Sequence, residues 1–164
     1  MKRPRSIILL ILWFFWAAGR DLDSLARYST TSDYYILSAA GLTWLFFAMA
    51  GAVMLLNAAG AYYLLRPASV GYPVLLSALG AGAAQNVVTV ALAMRDLPGV
   101  RNAYEVGREL RGLPVRQEAL DLIFTPNAMW TSLAISLVVY ALIGWLVYRN
   151  RRLFIGTVGY AAEA

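Results

Sequence analysis

The chain of 164 residues contains no cysteine and no histidine. Without cysteine there is no disulfide, no thiolate nucleophile and no iron–sulfur ligation, and nothing reports the redox state of the compartment. Without histidine the commonest metal ligand is missing, as is the side chain that ordinarily titrates near neutral pH. Haem held by His, zinc sites built on His or Cys, and Ser–His catalysis are therefore excluded within this chain. Charge is scarce as well, at 14% of residues, where soluble domains carry about 25%. Lysine occurs once, as Lys2. No glycine-rich phosphate loop is present, because Gly80–Ala81–Gly82 lies inside an apolar run and reads as packing.

What the chain has in excess is apolar surface, with 60% of its residues hydrophobic. A folded chain of this size has too little interior to hide so many apolar side chains from water, and lipid is the natural solvent for the remainder. Four apolar stretches stand out: 6–19, about 34–65, about 68–94 and 126–148. A helix needs about 20 apolar residues to cross a hydrocarbon layer of ~30 Å. The second, third and fourth stretches meet that length, and 36–65, 68–94 and 128–148 contain no Asp, Glu, Lys or Arg. The first is shorter. Its KRPR start, apolar run and Ala17–Ala18–Gly19 end have the outline of a secretory signal. Trp13, Phe14, Phe15 and Trp16 instead suggest an interfacial aromatic belt, and a retained helix is the expectation.

The sequence thus predicts an all-α fold: one integral membrane domain over 1–164, built as a four-helix bundle with amphipathic outer connecting helices. Charges then fall on two sides. Lys2, Arg3, Arg5, Arg66, Arg149, Arg151 and Arg152 share one side with Glu163 alone, while the other side carries seven arginines and eight carboxylates. The basic counts tie, but KRPR and RNRR abut helix ends on the same side, which assigns both termini to the cytoplasm. The net charge of +5 is then a topology signal with a contribution to anionic-lipid contact, and nucleic acid is not expected as a partner.

The long outer connection, about 99–124, is not a random linker. In GVRNAYEVGRELRG, Val100, Ala103, Tyr104, Gly107 and Leu110 share one helical face and the charged residues share the other. Gly112 and Pro114 break this helix and a second short one follows. Thr125–Pro126 supplies an N-cap and a first-turn proline for the last apolar stretch. The residues from Ile155 to Ala164 read as a loose tail.

In lipid, helices associate through small residues and a few hydrogen bonds. The third stretch has Ser77, Ala81, Gln85, Thr89 and Ala93 at a spacing of four, and it is expected to be the central helix. Counting depth from the Arg66–Pro67 hairpin at 1.5 Å per residue sets Asn57 level with Ser77, and sets Gln85 and Asn86 about 13–15 Å below Arg95. Two intramembrane contacts follow as expectations: Asn57 with Ser77, and Gln85 or Asn86 with Ser136. No catalytic, cofactor-binding or metal-ligating residue is expected, and no embedded Asp, Glu or His relay of the kind proton-coupled carriers use.

These features point to a non-enzymatic membrane protein, an accessory or interaction subunit that meets lipid and other membrane subunits. The alternative is a small transporter or channel subunit acting as a homo-oligomer, with Gln85, Asn86, Ser132, Ser136 and Thr89 along the path. Richness in Ala, Leu, Gly and Arg with a single Lys fits a GC-rich bacterial genome, and the bacterial inner membrane is the expected location.

Overall fold

The computed structural model describes residues 5–155. Lys2 and Arg3 of the first basic run, Glu163, and residues 156–164 of the expected tail lie outside them. The protein is all-α, 84% helical, without strands among the described residues. Its helices are α1 (Arg5–Ala26), α2 (Ser32–Ala39), α3 (Thr43–Leu65), α4 (Gly71–Ala93), α5 (Leu97–Glu109), α6 (Gln117–Ile123), α7 (Pro126–Arg149) and α8 (Arg152–Ile155). Three of them, α3, α4 and α7, are long and apolar enough to cross a membrane.

The first apolar stretch does not stop at Gly19. α1 continues through Ala17, Ala18 and Gly19 to Ala26, taking Arg20, Asp21 and Asp23 into the helix. Its buried residues Ile7, Leu10, Phe14, Ala17 and Asp21 recur at alternating spacings of three and four. That is the stripe of a helix packed along its whole length. The second stretch, in contrast, is two helices. Gly41 takes a left-handed φ of 72° after α2. Its amide donates to Ser38 O, and that of Leu42 to Leu37 O, closing the paired turn that glycine uniquely favours at a helix C-terminus. Gly112 (φ 65°) repeats the device after α5. Asp96 caps α5 by accepting from Gly99 N at 3.0 Å. Thr125 caps α7 by accepting from Ala128 N at 3.2 Å, with Pro126 at the first helical position, as the sequence leads one to expect.

The long helices meet in the cyclic order α1, α3, α4, α7, and α7 touches α1 again. The most extensive interface is α1 with α3, followed by α3 with α4. α4 is therefore not the single central helix. α3 and α4 each have two long neighbours, and α2 lies against both.

The two ends of this ring differ. At one end, Ser6 Oγ donates to Asn150 Oδ1 at 3.1 Å, tying the start of α1 to the end of α7. Phe154 of α8 packs over Gly71 at the start of α4. Leu10, Phe14, Leu64, Leu75, Leu79 and Val147 fill the space between with an apolar plug. At the other end, α2, α5 and α6 form a cap. Tyr35 of α2 stacks edge-on against Tyr104 of α5, with ring centroids 5.6 Å apart, and its hydroxyl donates to Ser29 O at 2.8 Å. Arg111 adds bonds to both Ser29 O and the Tyr35 hydroxyl. Arg101 pairs with Asp121 at 2.6 Å and joins α5 to α6. Val100 and Gly107 of α5 are buried, Ala103 and Tyr104 are half-buried, and Leu110 past the helix end is exposed.

Candidate functional site

Beneath the cap a cavity of about 360 Å³ enters between α1, α3 and α4. It runs from Phe46, in the first turn of α3, down to Gly82, the middle residue of α4. Its walls carry Arg20, Asp21, Asp33, Gln85 and Asn86.

The floor is a buried charged network. Asp21 and Asn57 are each only 5% exposed. Arg20 donates to Asp21 Oδ1 through Nη2 at 2.8 Å and Nε at 3.2 Å. Asn57 donates through Nδ2 to the other carboxylate oxygen at 3.1 Å. Both oxygens of Asp21 are therefore matched, which a buried carboxylate requires because an unpaired one carries a heavy desolvation cost. Arg20 is half exposed on the vestibule side and lies 5.5 Å from the Trp16 ring centroid.

Asn57 thus faces α1, whereas Ser77 is exposed on another side of the ring. The expected Asn57–Ser77 contact is replaced by Asn57–Asp21. The reason is the extra length of α1, which brings a carboxylate to the α3 face at that depth. Sequence reasoning missed Asp21 because a charged residue after Gly19 reads as the start of a loop. The signal that could have found it is the spacing from Leu10, Phe14 and Ala17, of which Asp21 is the next member.

Gln85 and Asn86 are half-buried and both line the vestibule. Ser136 lies half-buried on α7. The α7 hydroxyl beside Asn86 and Arg20 is that of Tyr140, one turn further on. A Cβ built on Gly82 would stand 2.5 Å from the Tyr140 hydroxyl, so the absence of a side chain there makes room for this group. Tyr140 is the second functional residue that sequence reasoning missed, since a tyrosine in an apolar run reads as packing.

Asp33, in the first turn of α2, forms the roof. Burial pushes its carboxyl above the ordinary aspartate range, opposed by the Arg20 guanidinium and a hydrogen bond from Ser32. The vestibule therefore presents two carboxylates, one guanidinium, two amides and, from the cap, the Tyr104 side chain, with Tyr140 behind Gly82. No cluster of three or more metal-ligating side chains occurs among the described residues. Such an arrangement can hold and orient a small polar molecule through many directional bonds. On its inner side the apolar plug closes it. No protein-family model, curated protein or solved structure matches this chain.

Proposed function

We propose that the chain is a four-helix transmembrane bundle of a bacterial inner membrane, with both termini cytoplasmic. In this reading it is a non-catalytic accessory subunit that holds a small polar ligand in its vestibule. α1 is the fourth span. Its 22 residues extend ~33 Å at the helical rise, and Ile8, Leu9, Leu12, Phe15 and Trp16 are exposed along it, as lipid contact requires. The orientation is supported by Arg5, Arg66, Arg149, Arg151 and Arg152, which abut helix ends at the plugged end, whereas the seven arginines of the cap end are spread along its helices and loops.

The observation that carries the reading is the Arg20–Asp21–Asn57 network. A charged, fully matched cluster at the base of a polar cavity is expensive in lipid and is retained where it recognises something. The plug on the other side favours holding a ligand over conducting one through a single chain. A non-catalytic role is supported by the missing His and Cys and by the engagement of both Asp21 oxygens in hydrogen bonds within the network. Partners are then membrane lipids and larger membrane subunits, with no nucleic acid.

Extraction in a mild detergent followed by native mass measurement tests this. Co-purification with larger membrane proteins is the expected result. A symmetric homo-oligomer, together with a solute flux abolished by Gln85→Leu and Asn86→Leu in folded protein, would overturn it in favour of a small transporter. The one feature favouring that second reading is the depth of the vestibule, which reaches the middle of α4.

A further inference from the structure

A second cavity, about 370 Å³, lies beside the vestibule between α2, α4, α6 and α7. Asp33 and Asn86 line both. The two cavities differ in character. The second has a polar edge of Asp33, Asn86 and Thr89, and a greasy wall of Ile36, Ile123 and Met129. The Thr89 hydroxyl is the one buried side-chain polar atom among the described residues without a hydrogen-bond partner, and the residue is only 5% exposed. A buried hydroxyl left unmatched calls for a partner from outside the chain.

Charge indicates which kind. The charged groups facing this junction are Arg20, Asp21 and Asp33, with the neutral Tyr140 phenol beside them. Arg20 directs Nε and Nη2 to Asp21 and also meets the Tyr140 hydroxyl. Asp33 is left with Ser32 and a share of the Arg20 field, so two carboxylates face a single guanidinium at this junction. No Lys or Arg lines the second cavity.

We propose that this second cavity binds a small amphiphilic organic cation, its ammonium group between the Asp33 carboxylate and the Thr89 hydroxyl and its apolar body along Ile36, Ile123 and Met129. The ammonium donates to both oxygens, which supplies Thr89 with its missing partner and neutralises the junction. A divalent metal fits less well, since a single carboxylate with hydroxyls does not make the oxygen cage it needs. This assignment rests on the reading of the chain as a membrane protein with a ligand-holding interior, and it names the ligand's chemistry.

The test uses purified full-length protein in a maltoside detergent and compares n-hexylammonium with hexanol and hexanoate, by calorimetry and thermal shift. Saturable binding of hexylammonium alone is expected. Asp33→Asn should weaken it about tenfold or more, the loss of a charge-assisted bond, and Thr89→Val should weaken it severalfold. Should Asp33→Asn fail to fold, Asp33→Glu keeps the charge and shifts its position, and it must change the affinity. Equal binding of hexanol, or undiminished binding by folded Asp33→Asn, overturns the proposal. Repeating the titration in nanodiscs identifies the source. Weaker hexylammonium binding in phosphatidylethanolamine than in phosphatidylcholine, which is equally zwitterionic but has no N–H to donate, means that a lipid amine fills the site, and equal binding means a free amine does. Both support an ammonium site. These readouts are independent of co-purification and flux, so failure here leaves the subunit reading to be judged on its own experiment.

Discussion

The side-chain amide of Asn57 and the carboxylate of Asp21 meet 3.1 Å apart across the α1–α3 interface, both almost wholly buried. The residues come from helices that begin at opposite ends of the ring, and their bond fixes the rotation of each helix about its axis. Asn57→Leu should destabilise the protein by about 1.5–3 kcal/mol, because it removes a hydrogen bond to a charged group and leaves one oxygen of Asp21 unmatched. Asp21→Asn keeps the shape and loses the charge. The double variant should show a coupling of about 0.6–1.7 kcal/mol, the range of interhelical bonds in membrane proteins. Reversible unfolding in mixed micelles measures it, and zero coupling would mean the pair is incidental.

Gly82 and Gly144 are both mid-helix glycines, yet their replacements should behave oppositely. A Cβ at Gly144 meets nothing closer than Leu79 at 3.8 Å. Gly144→Ala should therefore be neutral or stabilising by up to about 1 kcal/mol, the helix-propensity gain. At Gly82 the Cβ would stand 2.5 Å from the Tyr140 hydroxyl and 2.9 Å from its ring carbon. Gly82→Ala should cost about 1–3 kcal/mol in overpacking, and Tyr140→Phe should restore part of it. Thermal unfolding of Gly144→Ala, Gly82→Ala and the Gly82→Ala/Tyr140→Phe double variant in one detergent checks the contrast.

Asp33 makes stability depend on pH in a stated direction. Its folded carboxyl is raised above the ordinary 3.8 by burial. Between 3.8 and the raised value the folded protein binds more protons than the unfolded chain, so stability falls as pH rises through that window. Asp33→Asn should flatten this part of the profile and leave the protein at least as stable at pH 7. Unfolding midpoints from pH 4 to 8 for the two proteins measure the effect. A steeper decline in the variant would contradict it.

Much of the fold was legible in composition. The charge-free apolar runs over 36–65, 68–94 and 128–148 correspond to helices α3, α4 and α7, since length and hydropathy alone define such segments. The split at Gly41 was not legible, because Ser-Ala-Ala-Gly within an apolar run reads equally as close helix packing, and only the left-handed backbone tells the two apart. The extension of α1 was hidden by its charges, although the three-four stripe ending at Asp21 carried the information. Gln85 and Asn86 stood out as amides in an apolar run. Their neighbours did not, because counting from a hairpin gives depth but not azimuth. Whether Asn57 turns to α1 or to α4 depends on the order of helices around the ring, which no single segment encodes.

The central claim is that four helices cross the membrane, with the cap outside and the plugged end inside. The chain has no native cysteine, so single cysteines report without background. With Arg5→Cys, Ser69→Cys and Glu109→Cys in intact cells, a membrane-impermeant maleimide should label only Glu109→Cys. The other two should react only after permeabilisation. Labelling of Arg5→Cys in intact cells would show that α1 does not cross, and labelling of Ser69→Cys would reverse the orientation.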